Sequence, residues 1–333
     1  MSASGAGASS EDSLIARYFK PLATDPGAFG LTDDAAVLKA LGQDIVVTTD
    51  AIVEGVHFLA DDPPETIAQK ALRVNLSDLA AKGAAPAGFV LTLALRAVDE
   101  AWLAAFARGL GEDAMRFNCP LLGGDTVSTS GPLMASVTAF GRVPEGKMIH
   151  RSGAKPGDHV VVTGTIGDAA LGLDILQKGR VAAVLAHDAA SRNMLIGRYR
   201  LPEPRNALAS AIRAHAHAAM DVSDGLAGDL AKLCAASRVS AVIDLPSVPL
   251  SLAAKAVLAV SAAGVETLIS GGDDYEVLCA IRAEAFDEFM REARTAGVAA
   301  SPIGTIVAGG NAPKFLDAKG GELVLTRTSY SHF

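Results

Sequence analysis

Aromatic residues and cysteines are scarce in this 333-residue chain. Aromatic side chains make up only 5% of the residues although hydrophobic residues make up 50%, so the cores must be mainly aliphatic, as in layered α/β domains. The three cysteines, Cys119, Cys234 and Cys279, are far apart and form no C-x-x-C motif. This spacing argues against a disulfide framework and a thiolate zinc site, and it favours a reducing compartment.

An excess of basic residues is also absent. The chain has 29 Lys and Arg residues against 37 Asp and Glu residues, which gives a formal net charge of −8. Proteins bind nucleic acids and anionic membranes through surplus Lys and Arg, so neither is expected as a partner. A negatively charged protein can still bind a nucleotide if divalent cations neutralise the local acid.

Long hydrophobic segments are missing as well. The longest apolar stretch, 250–269, is interrupted by Lys255, Ser261 and Glu266, which predicts a soluble amphipathic helix and not a membrane span. Residues 1–12 are small and polar, without the basic start and apolar core of a secretory signal, and are predicted to be a disordered tail. Together with the cysteine pattern, these features predict a soluble cytoplasmic protein.

The length and the order of predicted elements indicate two α/β domains. Predicted strands lie at 44–49, 89–95, 120–123, 133–143, 159–163, 218–222 and 277–281, with a final pair before Tyr330. Predicted helices lie at 64–82, 100–118, 168–178 and 285–296, and one begins at Ser223 or Asp224. The Gly- and Pro-rich sequence RSGAKPGD at 151–158 predicts a boundary between an N-terminal domain, 13–150, and a C-terminal domain, 151–333. We expect an α/β (α+β) fold in which mixed sheets are flanked by helices.

Familiar phosphate-binding loops are not found. The sequence contains no G-x-x-x-x-G-K-[ST] motif, and GTIGD at 164–168 departs from G-x-G-x-x-G. A G-x-S-x-G elbow, which would indicate serine hydrolase chemistry, is missing too. A bound nucleotide would therefore be held by other groups, and carboxylates bridged by metal ions are the available alternative.

Aspartates are frequent at predicted strand ends and turns: Asp33, Asp34, Asp50, Asp125, Asp221, Asp224, Asp273 and Asp274. Mg2+ is commonly bound by one or two carboxylates together with substrate phosphates, and this distribution fits that habit. Aspartate is also common in turns and at helix N-caps, and for any single residue this explanation stays open.

Asp78 fits the turn explanation least, because it follows Ile67, Ala71 and Val74 on an apolar helix face. Burial of an unpaired carboxylate is costly, so a cation or Lys82, one turn further on, must neutralise it. Asp221 and Asp224 flank Ser223, which is a candidate N-cap whose neighbouring N–H groups would face an anion.

Four further residues have both a functional and a structural explanation. Gly124 would let the backbone approach a phosphate, or would serve a tight turn. Arg151 could clamp a phosphate with its planar guanidinium group, or be solvated in a linker. His57 could contact an anionic substrate or be half-buried in a strand, and Tyr330 could stack on a ligand or close a core.

Seven ordered motifs together resemble the thiamine-monophosphate kinase family, which lacks a P-loop and is grouped with aminoimidazole ribonucleotide synthetase and selenophosphate synthetase. They are DDAAVL at 33–38, TTDAIVEGVHF at 48–58, NLSDLAAKGAAP at 75–86, LLGGDT at 121–126, RSGAKPGD at 151–158, MDVSDGL at 220–226 and SGGDDYE at 270–276. The resemblance implies two-domain subunits, a homodimer joined through N-terminal strands, and ATP-dependent phosphorylation of thiamine monophosphate in a cleft lined by both domains.

The resemblance also implies roles for individual residues. Mg2+ ions would be held by Asp34, Thr48, Thr49, Asp50, Asp78, Asp125, Asp221 and Asp224. ATP would contact Asp34, Gly124, Asp125, Arg151 and Ser223, and thiamine monophosphate would contact His57, Asp273 and Tyr330. Two positions depart from the family's usual pattern: Thr32 replaces a glycine, and Asp273 replaces a glutamate that is one methylene longer. Alternative functions are an ATP-dependent ligase or synthetase of the same superfamily, and a non-catalytic sensor of nucleotide or thiamine phosphate.

Overall fold

The computed structural model describes residues 14–26, 28, 38–260, 264–326 and 329. The chain divides into two compact units: Met1–Asn75 with Pro86–Arg142 form the first unit, and Leu76–Ala85 with Val143–Phe333 form the second unit. The predicted tail, the motif residues Asp33 and Asp34, and Tyr330 lie outside the described residues.

The first unit is built on a four-stranded sheet with the order β1-β4-β2-β3. Its strands are β1 Gln43–Val53, β2 Ala85–Leu95, β3 Leu121–Ser128 and β4 Met134–Pro144, and its helices are α1 Pro64–Ala81 and α2 Glu100–Arg116. The part of α1 from Leu76 onward belongs to the second unit. A π-helix, Ile15–Phe19, and a 3-10 helix, Lys20–Leu22, precede the sheet. In β4 every second residue is buried, as expected for a strand with one face on a core.

Capping residues determine where the two long helices begin and end. α1 begins at Pro64, whose fixed φ suits a first helical position, and it ends just before Gly83, which has a φ of 68°. α2 begins after Asp99, whose carboxylate accepts hydrogen bonds from the N–H groups of Ala101 and Trp102. The predicted helices at 64–82 and 100–118 are therefore confirmed to within two residues.

Two strands of the first unit extend further than predicted. β1 continues to Val53, so Asp50 lies within the strand and not at its end. β3 continues to Ser128, so Gly124 and Asp125 lie inside a strand as well. The prediction that these residues occupy strand ends or turns is wrong, because the sheet continues through polar positions that the sequence pattern assigns to loops.

The second unit contains a six-stranded sheet with the order β10-β7-β9-β5-β8-β6. Its strands are β5 His159–Thr163, β6 Ala216–Val222, β7 Val239–Asp244, β8 Glu276–Ile281, β9 Ala300–Ala308 and β10 Lys314–Leu316. Its helices are α3 Asp168–Leu176, α4 Arg180–Val184, α5 Ala189–Arg200, α6 Ala209–His215, α7 Leu226–Ser237, α8 Leu252–Val260, α9 Val265–Ile269 and α10 Phe286–Thr295. The buried core between sheet and helices is mostly Ala, Val, Leu and Ile, as the composition predicts.

Some predictions for the second half are wrong. The last two strands do not pair with each other, because β7 separates β9 from β10. The single helix predicted over 250–269 is two helices, α8 and α9, the second of which begins after Gly264. Within the described residues, no helix is long and apolar enough to cross a membrane.

A buried ion pair joins the two helices of the first unit. Arg73 on α1 donates to both carboxylate oxygens of Asp113 on α2, at 2.5 and 2.9 Å. Both side chains are almost fully buried, with exposures of 6% and 1%. Two charges so far from solvent are tolerable only as a hydrogen-bonded pair.

Two buried acids organise the turn between β5 and α3 in the second unit. Glu276 accepts hydrogen bonds from Arg198, Arg205 and the Thr163 hydroxyl, at 2.6–2.7 Å. Its neighbour Asp274 accepts hydrogen bonds from the N–H groups of Gly167 and Ala169 at the start of α3. Burial raises the pKa of Asp274 to about 8, against the lowering effect of the Gly167 amide and of Arg198.

Replacement of Asp113 by alanine should lower the free energy of unfolding by about 3–5 kcal/mol, because Arg73 is left buried without its partner. Urea denaturation measures the loss. Glu288→Ala, which removes an exposed ion pair with Arg291, is the control and should change stability little. Equal stability of the Asp113→Ala and Glu288→Ala variants would contradict the assignment.

The Asp274 carboxyl should make stability depend on pH. Its pKa is about 8 in the folded protein against an ordinary value of 3.8, so its contribution is full below pH 3.8 and is lost as the pH rises through 8. The stability advantage of the wild type over Asp274→Asn should therefore shrink between pH 5 and 8, by up to about 1.4 kcal/mol per pH unit. Urea denaturation of both proteins at several pH values tests this, and a constant or growing difference would refute it.

Candidate functional site

Thr48, Thr49 and Asp50 follow one another on β1, at one edge of the first unit's sheet. The Thr49 hydroxyl donates to the carbonyl oxygen of Val137 at 3.2 Å and accepts from the Thr138 hydroxyl at 2.9 Å. Thr49 is thus already engaged with β4, and one lone pair of its oxygen is left for a ligand. The Asp50 side chain is exposed.

Asn75 of α1 fixes the backbone of Asp50. Its side-chain oxygen accepts the Asp50 N–H at 3.0 Å, and its amide nitrogen donates to the carbonyl oxygen of Ala71 at 3.0 Å. Asn75 is fully buried, so its polar groups need these partners. No sequence pattern indicates the role of Asn75, because a helical asparagine shows nothing that reveals a contact with a strand 25 residues earlier.

Gly124 and Asp125 lie on β3, at the opposite edge of the same sheet. A Cβ atom on Gly124 would lie 2.0 Å from the carbonyl oxygen of Leu91, so glycine is required for the close approach of β2. Asp125 is exposed and pairs with Thr92. Two strands lie between β1 and β3, which at ~4.8 Å per strand puts these two edge strands about 14 Å apart across the sheet.

His57 lies in a turn, four residues after the end of β1. The prediction that His57 belongs to a strand is therefore wrong. Its Nδ1 accepts the Val53 N–H at 3.1 Å, so in the neutral ring the proton is on Nε2. Its carbonyl oxygen accepts from the amino group of Lys70 at 2.8 Å. The ring is half-buried and held by the backbone that precedes it.

Asp78, Lys82, Asp221 and Arg151 share one neighbourhood of the second unit. The Lys82 amino group donates to the carbonyl oxygen of Ala219 on β6, at 2.9 Å, two residues before Asp221. Burial lowers the pKa of Lys82, and this effect is the largest. The negative charges of Asp221 and Asp78 act to raise the pKa, whereas the positive charge of Arg151 acts to lower it further. This arrangement agrees with the prediction that Lys82 neutralises the charge of Asp78.

Asp229, which no sequence motif indicates, fixes the segment from Asp221 to Asp224. The N–H groups of Ser223 and Asp224 donate to one carboxylate oxygen of Asp229, at 3.0 and 2.9 Å. α7 begins only at Leu226, after Gly225, which has a φ of 118°. The prediction that Ser223 is a helix N-cap with amides facing a bound anion is therefore wrong, because the Asp229 carboxylate accepts the hydrogen bonds of the Ser223 and Asp224 amides.

Lys232 joins Asp224 to Asp229. Its amino group contacts Asp224 at 2.6 Å and Asp229 at 2.8 Å. Burial raises the pKa of Asp229, and Lys232 opposes that shift. The pKa of Lys232 is raised overall. Partial burial acts to lower this pKa, but the hydrogen bonds to both carboxylates together have the larger effect. The spacing of Asp229 and Lys232 on α7, three residues, was the one sequence feature that could have indicated this pair.

The loop containing Asp273 is clamped to the same segment. The N–H groups of Asp273 and Tyr275 donate at 2.8 Å to the carbonyl oxygens of Ser223 and Val222, and Ser77 donates to the carbonyl oxygen of Tyr275 at 3.3 Å. Asp273 has a φ of 72°, in the left-handed region. Short polar side chains tolerate this conformation best, so aspartate suits position 273.

Arg151 is exposed, in a loop that Ser237 holds. The Ser237 hydroxyl oxygen accepts the N–H groups of Gly153 and Ala154, at 3.1 and 3.2 Å. The second unit therefore brings together five predicted site residues, through direct contacts or through Lys82: Asp78, Arg151, Asp221, Ser223 and Asp273. Asp224 lies beside them, paired with Lys232, whereas Asp34 and Tyr330 lie outside the described residues.

Carboxylate oxygens are the donors that Mg2+ prefers. Across the part of the chain that the structure describes, no three His, Cys, Asp or Glu side chains are grouped closely enough to hold a metal ion. Mg2+ usually keeps several waters and binds through one or two carboxylates plus substrate phosphates. Asp78 and Asp221, which both act electrostatically on Lys82, have the donor chemistry that such an ion needs.

Comparisons with known proteins agree over both halves of the chain. Residues 32–143 match AIR synthase related protein, N-terminal domain, and residues 155–313 match AIR synthase related protein, C-terminal domain. Thiamine-monophosphate kinase from Caulobacter vibrioides is 46% identical over 324 residues, covering 96% of this chain and 89% of its own. The Escherichia coli protein of the same name is 44% identical over 270 residues, covering 80% and 81%.

Solved structures give the same result. Thiamine-monophosphate kinase from Stenotrophomonas maltophilia has a TM-score of 0.80 at 38% identity and covers 91% of this chain and 94% of its own. A structure described as AaThiL complexed with AMPPCP and TMP has a TM-score of 0.76 at 27% identity, covering 92% and 97%. The predicted fold class is confirmed. The chain belongs to the AIR synthase related proteins and, among them, to the thiamine-monophosphate kinase family.

Proposed function

We propose that this protein transfers the γ-phosphoryl group of ATP directly to the phosphate of thiamine monophosphate, giving ADP and thiamine diphosphate. The observation that carries the proposal is the 46% identity, over 96% of the chain, to a thiamine-monophosphate kinase. The AaThiL structure with AMPPCP and TMP supports a nucleotide and a thiamine phosphate as the two ligands.

The acceptor's own chemistry explains why no general base is needed. A phosphomonoester with a second pKa of about 6 is largely dianionic at neutral pH, so its oxygen is already nucleophilic. The obstacle is repulsion between two anions. When bound, Mg2+ would neutralise this repulsion and stabilise the charge on the transferring oxygens. The protein's task is then to position the two phosphates in line.

The proposed ligands of the metal ions are oxygen atoms of side chains in both units: Asp34, Thr48, Thr49, Asp50, Asp78, Asp125, Asp221 and Asp224. Support comes from how firmly several are held, since Asn75 fixes the backbone of Asp50 and Asp229 fixes that of Asp224.

ATP would contact Asp34, Gly124, Asp125, Arg151 and Ser223, and the acceptor would contact His57, Asp273 and Tyr330. Because the Ser223 N–H donates to Asp229, Ser223 would reach a phosphate through its hydroxyl group. Asp273 is fixed through its backbone N–H, so its carboxylate is displayed from a rigid loop.

We further propose that the protein is a cytoplasmic homodimer joined through strands of the first unit. Among the described residues, β1 and β3 are edge strands with one neighbour each. Both carry an exposed valine, Val47 at 57% and Val127 at 42%. Open strand edges with apolar side chains readily pair with another chain.

Two alternatives are distinguishable by experiment. A ligase or synthetase of the same superfamily would release ADP only with a different acceptor, such as an aminoimidazole precursor. A sensor would bind ATP and thiamine monophosphate without forming product. Purified protein with ATP and Mg2+, offered each acceptor in turn and analysed by mass spectrometry, should form thiamine diphosphate from thiamine monophosphate only.

Asp50→Asn and Asp125→Asn should each lower kcat on the order of 100-fold, because each removes a charged oxygen ligand while keeping the shape. Asp44→Asn, which alters an exposed residue of the same strand as Asp50, is the control and should keep nearly the wild-type rate. Steady-state rates across a range of Mg2+ concentrations check this. An Asp50 or Asp125 variant with the wild-type rate at limiting Mg2+ would refute its assignment.

Asp273→Asn should raise the KM for thiamine monophosphate roughly tenfold with little change in kcat, because a charged contact to the acceptor is lost. Asp273→Glu keeps the charge and should stay closer to the wild-type KM, although a longer side chain suits the left-handed backbone less well. If Asp273→Asn leaves the KM for thiamine monophosphate unchanged, Asp273 does not contact the acceptor.

A further inference from the structure

Lys82 occupies a position that the proposed roles leave unexplained. It follows the last residue of α1, and its N–H donates to the carbonyl oxygen of Asp78 at 2.9 Å, so the two residues are one helical turn apart. Side chains with this spacing lie on the same side of a helix. The ammonium group of Lys82 and the carboxylate of Asp78 are therefore neighbours.

The far end of the Lys82 side chain is anchored on β6. The amino group donates to the carbonyl oxygen of Ala219 at 2.9 Å. Ala219 and Asp221 are two residues apart in the strand and so present their side chains to the same face. The ammonium group of Lys82 is thus brought to the strand that carries Asp221. The Asp221 side chain is buried.

The backbone at Lys82 is rigidly placed. Its carbonyl oxygen accepts the Ile149 N–H at 3.2 Å. Arg213 donates to the carbonyl oxygen of the next residue, Gly83. A Cβ atom on Gly83 would lie 2.9 Å from the Cβ of Arg213, so the turn is closely packed there. These contacts hold the base of the side chain, which favours a fixed position for its charge.

The Lys82 ammonium group feels both aspartates. Asp221 and Asp78 favour its charged form electrostatically, whereas burial and Arg151 disfavour it. A divalent ion that bound to the two carboxylates would be repelled by the Lys82 ammonium group, because like charges repel more strongly in a poorly solvated site than in water.

We propose that Lys82 is a built-in cation that competes with divalent metal ions for Asp78 and Asp221. This inference rests on the proposed function only in assigning those two aspartates to metal binding. Its consequence is that divalent ions bind weakly at this pair until substrate phosphates add negative charge. Lys82 would thereby couple metal binding to the arrival of the nucleotide.

Direct titration of Mn2+ into the protein without nucleotide, followed by electron paramagnetic resonance of the free ion, tests the proposal. Lys82→Met should bind Mn2+ on the order of tenfold more tightly than the wild type, because the competing charge is gone. Lys82→Arg, which keeps the charge, should not show the gain. Lys255→Met, which makes the same change in net charge on an exposed face of α8, should match the wild type.

The gain must depend on the two aspartates, so Asp78→Asn or Asp221→Asn in the Lys82→Met background should abolish it. Equal Mn2+ affinity of Lys82→Met and the wild type would overturn the proposal. So would a rise in the KM for ATP or thiamine monophosphate without a change in Mn2+ affinity, since Lys82 would then bind phosphate. Lys82→Gln replaces Lys82→Met if the latter does not fold. Because Mn2+ binding is read without turnover, a failure of the proposed kinase activity is seen separately.

Discussion

Carboxylates that are buried or half-buried need a partner, and in the second unit the chain itself supplies one. Asp229 takes the N–H groups of Ser223 and Asp224 and contacts Lys232. The backbone of Ser223 in turn accepts the N–H of Asp273. The positions of Ser223, Asp224 and Asp273 therefore depend on the contacts of Asp229. Under the proposed function, metal ions bound by carboxylates would take the place of a glycine-rich phosphate cradle.

The sequence predicted much of the fold because its signals are local. The stripe of apolar residues in α1 and the glycine after it predict the helix to within one residue, and the aliphatic run of β5 predicts that strand correctly. The motif resemblance predicted the family. The proposed domain limits, 13–150 and 151–333, remain a prediction, whereas the compact second unit also takes in Leu76–Ala85.

The errors arise where a distant contact overrides the local pattern. Gly124 and Asp125 look like a turn, but the carbonyl oxygen of Leu91 on the next strand requires a glycine inside β3. Ser223 looks like a helix N-cap, but Asp229 captures the amides before the helix starts. Lys232 resembles an ordinary surface lysine in sequence, and only the fold places its amino group beside Asp224 and Asp229. The sequence predicts that Lys82 neutralises Asp78, but it does not reveal the contact between Lys82 and the carbonyl oxygen of Ala219 on β6.

In the proposed function, aspartate carboxylates hold divalent ions between the phosphates of the two substrates. A crystal structure of the protein with Mn2+, AMPPCP and thiamine monophosphate, with the ions located by anomalous scattering, tests it most directly. The expected result is Mn2+ directly coordinated by aspartates from the set Asp50, Asp78, Asp125, Asp221 and Asp224, with phosphate oxygens completing the shell. Ions bound by phosphates and water alone would contradict the proposal.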